Sequence, residues 1–115
     1  MASKVGVVNL EERMPTVEEA RAKLKSEIDG AKKTGMTALK IIHGYGSSGV
    51  GGSLRHAIRR SLQKRVKEGQ IRAFVPGEAW DIFEEKCRQI LEECPELGRD
   101  QDLGRYNEGI TVVLL

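Results

Sequence analysis

The chain has little of what many function classes require. Its 115 residues include two cysteines, two histidines and three prolines, and aromatic side chains make up only 4%. Cys87 and Cys94 fall seven residues apart in one predicted helix. The rise between them, about 10 Å, exceeds the ~7 Å Cα limit for a disulfide. There is no Cys-x-x-Cys pair and no Cys/His cluster of zinc-ligand spacing, so no metal is expected from ligand spacing, and a reduced, cytoplasmic protein is the simplest expectation. No apolar run approaches the ~20 residues of a membrane span, and the N-terminus lacks a signal-peptide core, so no membrane partner is expected. A net charge of +2 names no partner by itself.

What the chain does carry is glycine, with 13 residues, and charge, at 31%, and both are unevenly placed. The segment 55–72 holds Arg55, Arg59, Arg60, Lys64, Arg65, Lys67 and Arg72 against the single acid Glu68. The stretch 78–102 is predominantly acidic. Such asymmetry predicts one basic face and one acidic face.

Hydrophobic periodicity divides the chain into alternating elements. Residues 4–10 are valine-rich and read as a strand. Thr16 caps a helix, with Glu19 completing a capping box, and Val17, Ala20, Leu24, Ile28 and Ala31 repeat at helical spacing before a stop at Gly35. Residues 36–42 form a second strand. A basic helix over 52–68 presents Leu54, Ala57, Ile58, Ser61, Leu62 and Val66 inward, with Arg59, Arg60, Lys64 and Lys67 pointing away. Residues 71–75 form a third strand. A third helix over 79–94 collects Trp80, Phe83, Cys87, Ile90, Leu91 and Cys94 on one stripe, expected to bury against the sheet. After a polar loop, residues 109–115 make an all-apolar strand of the kind found in a sheet interior. One α/β domain over 1–115 is expected, a two- or three-layer sandwich on a mixed four-stranded sheet.

The junction between the second strand and the basic helix carries the chemistry. His43-Gly44-Tyr45-Gly46 leads into a glycine-rich loop, then Ser53-Leu54-Arg55 opens the helix. Glycines can turn amide N–H groups toward an anion, and a helix N-terminus adds free N–H groups and positive dipole. The loop lacks the Gly-Lys-Ser/Thr of a P-loop, which disfavours nucleoside triphosphate. A phosphate backbone fits better than one small ligand.

His-Gly-x-Gly followed by Leu54-Arg55 resembles the second motif of the Smr (small MutS-related) domain, found at the C-terminus of some mismatch-repair ATPases and as stand-alone proteins. The ending 108–114 is similar to that family's Gly-x-Thr-x-Val-x-Leu strand, and residues 16–20 to the start of its first helix. The resemblance covers roughly 5–75 and 107–115 and implies a βαβαββ fold like the C-terminal half of bacterial translation initiation factor three. Residues 76–108 then read as an insertion carrying the third helix. The family's Leu-Asp-x-His-Gly motif is missing here. With a two-residue insertion, Asn9 takes the aspartate position and Glu11 the histidine position; an ungapped count places Glu11 or Glu12 and Arg13 there instead.

The leading expectation is a nucleic-acid-binding domain that contacts DNA or RNA backbone through His43, Gly44, Tyr45, Gly46, Ser53, Arg55, Arg59, Arg60 and Lys64. Tyr45 is placed either to stack on a base or to fill the loop, Ser53 either to donate to phosphate or to cap its helix, and His56 on the solvated side. A second class is a structure-selective nicking endonuclease, with His43 as acid or base and Glu11 or Glu12 as the carboxylate; only in that case is a cofactor, Mg or Mn, expected. A third is a protein-interaction module whose acidic third helix docks a basic partner.

Overall fold

Strand β4 (Ile110–Leu114) reads Ile-Thr-Val-Val-Leu, and all five residues are buried. A strand covered on both faces has to lie inside its sheet. It does: the order is β1-β2-β4-β3, with β1 at Val5–Asn9, β2 at Ala38–Ile42 and β3 at Ala73–Pro76. β1 runs parallel to β2, while β4 runs antiparallel to both β2 and β3. The carboxyl ends of β1, β2 and β3 therefore meet the amino end of β4 along one edge. The computed structural model describes residues 4–13, 15–44 and 50–115, without the side chains of 50–53.

Side-chain alternation along the strands feeds two cores. On one face, Val8, Leu39, Ile41 and Val113 pack against Leu24 and Ile28 of α1 (Val17–Lys33) and Leu54, Ile58 and Leu62 of α2 (Val50–Lys67). On the other, Ala38, Val75, Ile110, Val112 and Leu114 pack against Trp80, Cys87, Ile90 and Cys94, the last three on or next to α3 (Glu85–Glu93). The result is a three-layer α/β/α arrangement on a mixed sheet. The expected capping box is present: Glu19 N–H donates to Thr16 Oγ1 at 3.1 Å and Thr16 N–H to Glu19 Oε1 at 2.9 Å.

The third helix is shorter than the periodicity predicts. A 3₁₀ turn spans Gly77–Ala79, and the chain stays non-helical until Glu85. Asp81 Oδ1 accepts from Phe83 N–H at 2.9 Å, and Arg88 Nη1 donates to the Ile82 carbonyl at 2.8 Å. That turn breaks the stripe. Trp80 is buried from one side of the turn and Cys87, Ile90 and Cys94 from the other, whereas Phe83 is 83% exposed and Leu91 only partly covered. The expectation of a buried Phe83 is therefore corrected. A side chain keeps its place on a helical stripe only while the backbone stays helical. Cys87 and Cys94 are both buried and form no disulfide, consistent with their spacing.

Candidate functional site

The end of β2, the start of α2, the turn after β3 and the first residues of β4 converge at the carboxyl edge of the sheet. The amides of His43 and Gly44 both donate to the Gly109 carbonyl, at 2.9 and 3.0 Å. Gly44 has φ +78, a conformation that side chains rarely adopt. A Cβ at Gly44 would also collide with the Glu11 carboxylate, lying 3.0 Å from its Cδ. The left-handed backbone is what calls for glycine here, since the Glu11 carboxylate is the end of an exposed side chain that can move aside. Glu11 is held in turn by the end of β1, where Asn9 Oδ1 accepts the amides of Glu11 and Glu12 at 2.9 and 3.0 Å.

His43 is fully buried, with both ring nitrogens engaged. Nδ1 lies 2.8 Å from the Gly44 carbonyl and Nε2 lies 2.8 Å from Thr111 Oγ1. A carbonyl only accepts, so Nδ1 carries the proton and Nε2 accepts from the Thr111 hydroxyl. Thr111 Oγ1 in turn accepts from Arg59 Nε at 3.1 Å. Burial pushes the His43 pKa down to about 4 from 6.5; the Gly44 carbonyl opposes this and the nearby Arg59 and Arg55 charges reinforce it. The imidazole is therefore neutral at pH 7, and both nitrogens are spent on fixing the edge.

Arg59 departs from the outward position that helical spacing predicts. Its guanidinium donates to both oxygens of Glu78 at 2.8 Å, and to the carbonyls of Glu108 and Ile110 at 3.1 Å. Burial raises the Glu78 pKa and Arg59 more than reverses that, so the carboxyl lies below its ordinary value. Residue 59 stands one turn past Arg55 on the side facing the sheet edge, and the guanidinium reaches the acceptors there. Arg59 is thus a structural brace. Arg55 is bound more loosely. Its Nη1 meets Glu108 Oε2 at 2.9 Å, while its Nε is buried without a partner.

On the opposite side of α2, His56, Arg60, Lys64 and Lys67 are exposed. Their spacing of four, four and three residues keeps them on one strip of the helix. Tyr45, Gly46 and the Ser53 side chain, which the sequence points to, lie outside the described residues. Glu12 is exposed, with its amide on Asn9. Sequence reasoning missed Glu78, Glu108 and Thr111 as parts of this corner. Thr111 left one signal, a lone hydroxyl in an otherwise apolar strand.

Among the described residues no three His, Cys, Asp or Glu side chains come together, and Glu11 is the one carboxylate resting on Gly44. Among the described residues no helix is long and apolar enough to cross a membrane.

A three-layer α/β sheet with a His-Gly-x-Gly corner and a basic helix at its carboxyl edge defines a recognisable class. The Smr domain family model matches residues 12–82, and the chain belongs to that family. Among solved structures, the Smr domain of Thermus thermophilus MutS2 is similar in fold, with a TM-score of 0.59 at 24% identity over 96% of each chain. Comparison with curated proteins gives no match.

Proposed function

We propose that this Smr domain binds nucleic acid through the phosphate backbone, using the outer row of α2 together with Arg55 and the amides at the helix start. The observation that carries the reading is the split of the basic helix. Arg59 is consumed by Glu78, while Arg60, Lys64 and Lys67 have no carboxylate partner among the described residues. Unpaired cations on one strip of a helix suit a regular array of phosphates and attract it over several Å. Arg55 lies near the end of α2 where the free N–H groups collect, and among the described residues its guanidinium is bonded through Nη1 alone, to Glu108, which leaves Nη2 to meet a phosphate.

The engagement of both His43 nitrogens favours binding over cleavage. A general acid or base must reach the reacting oxygen, and this imidazole is buried, neutral and doubly bonded. His43 and Gly44 act here by shaping the loop entrance. Whether the strand is DNA or RNA is left to titration against both.

The test is fluorescence anisotropy of labelled DNA and RNA with the wild type and with the combined Arg60→Glu, Lys64→Glu, Lys67→Glu variant. The wild type is expected to bind and the variant to lose binding while keeping its melting temperature. Unchanged affinity in a folded variant would refute the reading. Incubation with supercoiled plasmid is expected to give no nicking above background.

A further inference from the structure

Next to Arg55 lies a cleft of about 790 Å³, lined among the described residues by Gln101, Asp102, Arg105, Tyr106, Asn107 and Glu108. Glu108 connects the two places, because the same side chain that lines the cleft bonds Arg55. The cleft wall is built and braced. Lys40, 7% exposed on β2, donates to Asp100 Oδ1 at 2.8 Å and also holds Asp102. Trp80 Nε1 donates to Asp100 Oδ2 at 3.1 Å, and Asn107 Nδ2 to Asp102 Oδ1 at 3.0 Å. Asn107 Oδ1 then accepts the Gly109 amide at 2.8 Å, and the Gly109 carbonyl is the one that takes the His43 and Gly44 amides. The wall is thereby tied to the phosphate corner.

The groups left over decide what the cleft can take. Both Asp102 oxygens are occupied and Glu108 is paired, so the acids do not form a free cation site. Tyr106 is 68% exposed and sits at φ +56, a left-handed backbone that the braced turn imposes on a bulky residue. Gln101 and Arg105 add an amide and a guanidinium. An exposed aromatic ring beside an amide and a guanidinium, which between them donate and accept, matches a flat heteroaromatic ligand.

We infer that the cleft receives an unpaired nucleobase, stacked on Tyr106, from the strand whose phosphate lies at Arg55. This rests on the phosphate-backbone reading and narrows it to single-stranded or locally unpaired nucleic acid, since a base within a duplex has no free face to offer.

The experiment uses short DNA and RNA strands carrying 2-aminopurine, and the same sequences as duplexes, against wild type, Tyr106→Ala and Tyr106→Phe. Wild type should quench 2-aminopurine in at least one single-stranded arm and bind that strand more tightly than its duplex. Tyr106→Ala should weaken it about 5- to 150-fold, the range one stacked base supplies, and abolish the quenching. Tyr106→Phe should retain both. The salt dependence should be the same in all three proteins, because the ring carries no charge. Equal affinity for strand and duplex, or full affinity and quenching in Tyr106→Ala, would overturn the inference and leave the backbone reading standing. Absence of any salt-sensitive binding by wild type would instead remove the backbone reading itself.

Discussion

The two sides of α2 carry the same kinds of residue and lead opposite lives. Arg55 and Arg59 face the sheet edge, where Glu78, Glu108, Thr111 and two carbonyls compete for their donors. Arg60, Lys64 and Lys67, one position around the helix, face water. The contrast teaches that a basic helix is not one surface. A guanidinium near buried acceptors becomes part of the fold, because leaving those acceptors unmet costs more than an exposed charge gains. The cations beyond their reach remain available to a polyanion.

The contrast is broken most severely at Arg59. Arg59→Ala removes five hydrogen bonds and strands the half-buried Glu78, so a loss of about 3 kcal/mol is expected in urea unfolding. Arg60→Ala should change stability by less than about 0.5 kcal/mol. Equal costs would erase the distinction. Arg59→Lys should recover only part, since an ammonium cannot reproduce the bidentate fork.

The inner network also predicts a pH dependence. His43 titrates near 4 when folded and near 6.5 when unfolded. Below pH 6.5 the unfolded chain takes up a proton that the folded chain refuses. Stability therefore falls as pH drops, by up to 1.4 kcal/mol per unit and by about 2 kcal/mol between pH 6.5 and about 5. The effect is complete only below the folded value. Urea unfolding at several pH values should show this slope, and His43→Gln should flatten it. A wild type with constant stability across that window would contradict the buried neutral imidazole.

Arg55 stands between the two rows, and Glu108 decides to which it belongs. Glu108→Gln keeps a hydrogen-bonding oxygen but removes a charge that repels phosphate. Nucleic-acid affinity should rise about threefold, with little change in melting temperature. A fall in affinity would place Glu108 among the binding groups. The smallest effect is expected at Phe83, where the exposed ring makes Phe83→Ala worth less than about 0.5 kcal/mol, against about 3–5 for Trp80→Ala.

The mixed four-stranded sheet and the central β4 were legible because a continuous apolar strand has one stable place in a sheet, whereas the sequence left two or three layers open. The Thr16–Glu19 cap and the helical stripe of α1 were legible for the same reason, each being decided by residues within one or two turns. Arg59 and Phe83 were not. Arg59 turns on partners nineteen and about fifty residues away in the chain, which periodicity does not contain. Phe83 turns on a local break at Asp81 that an unbroken apolar stripe conceals. The corner at His43 and Gly44 was half legible: glycine and histidine marked the place, but only the fold reveals that His43 is enclosed and that Glu11 rests on Gly44.

The central claim is that the outer row of α2, and not the inner one, meets phosphate. It is tested most directly by the salt dependence of nucleic-acid affinity in wild type and in the Arg60→Glu, Lys64→Glu, Lys67→Glu variant. A plot of log K against log salt should be steep and linear for wild type, and shallower by about 2 to 3 for the variant at conditions where its weak binding is measurable. Identical slopes in two equally folded proteins would contradict the account.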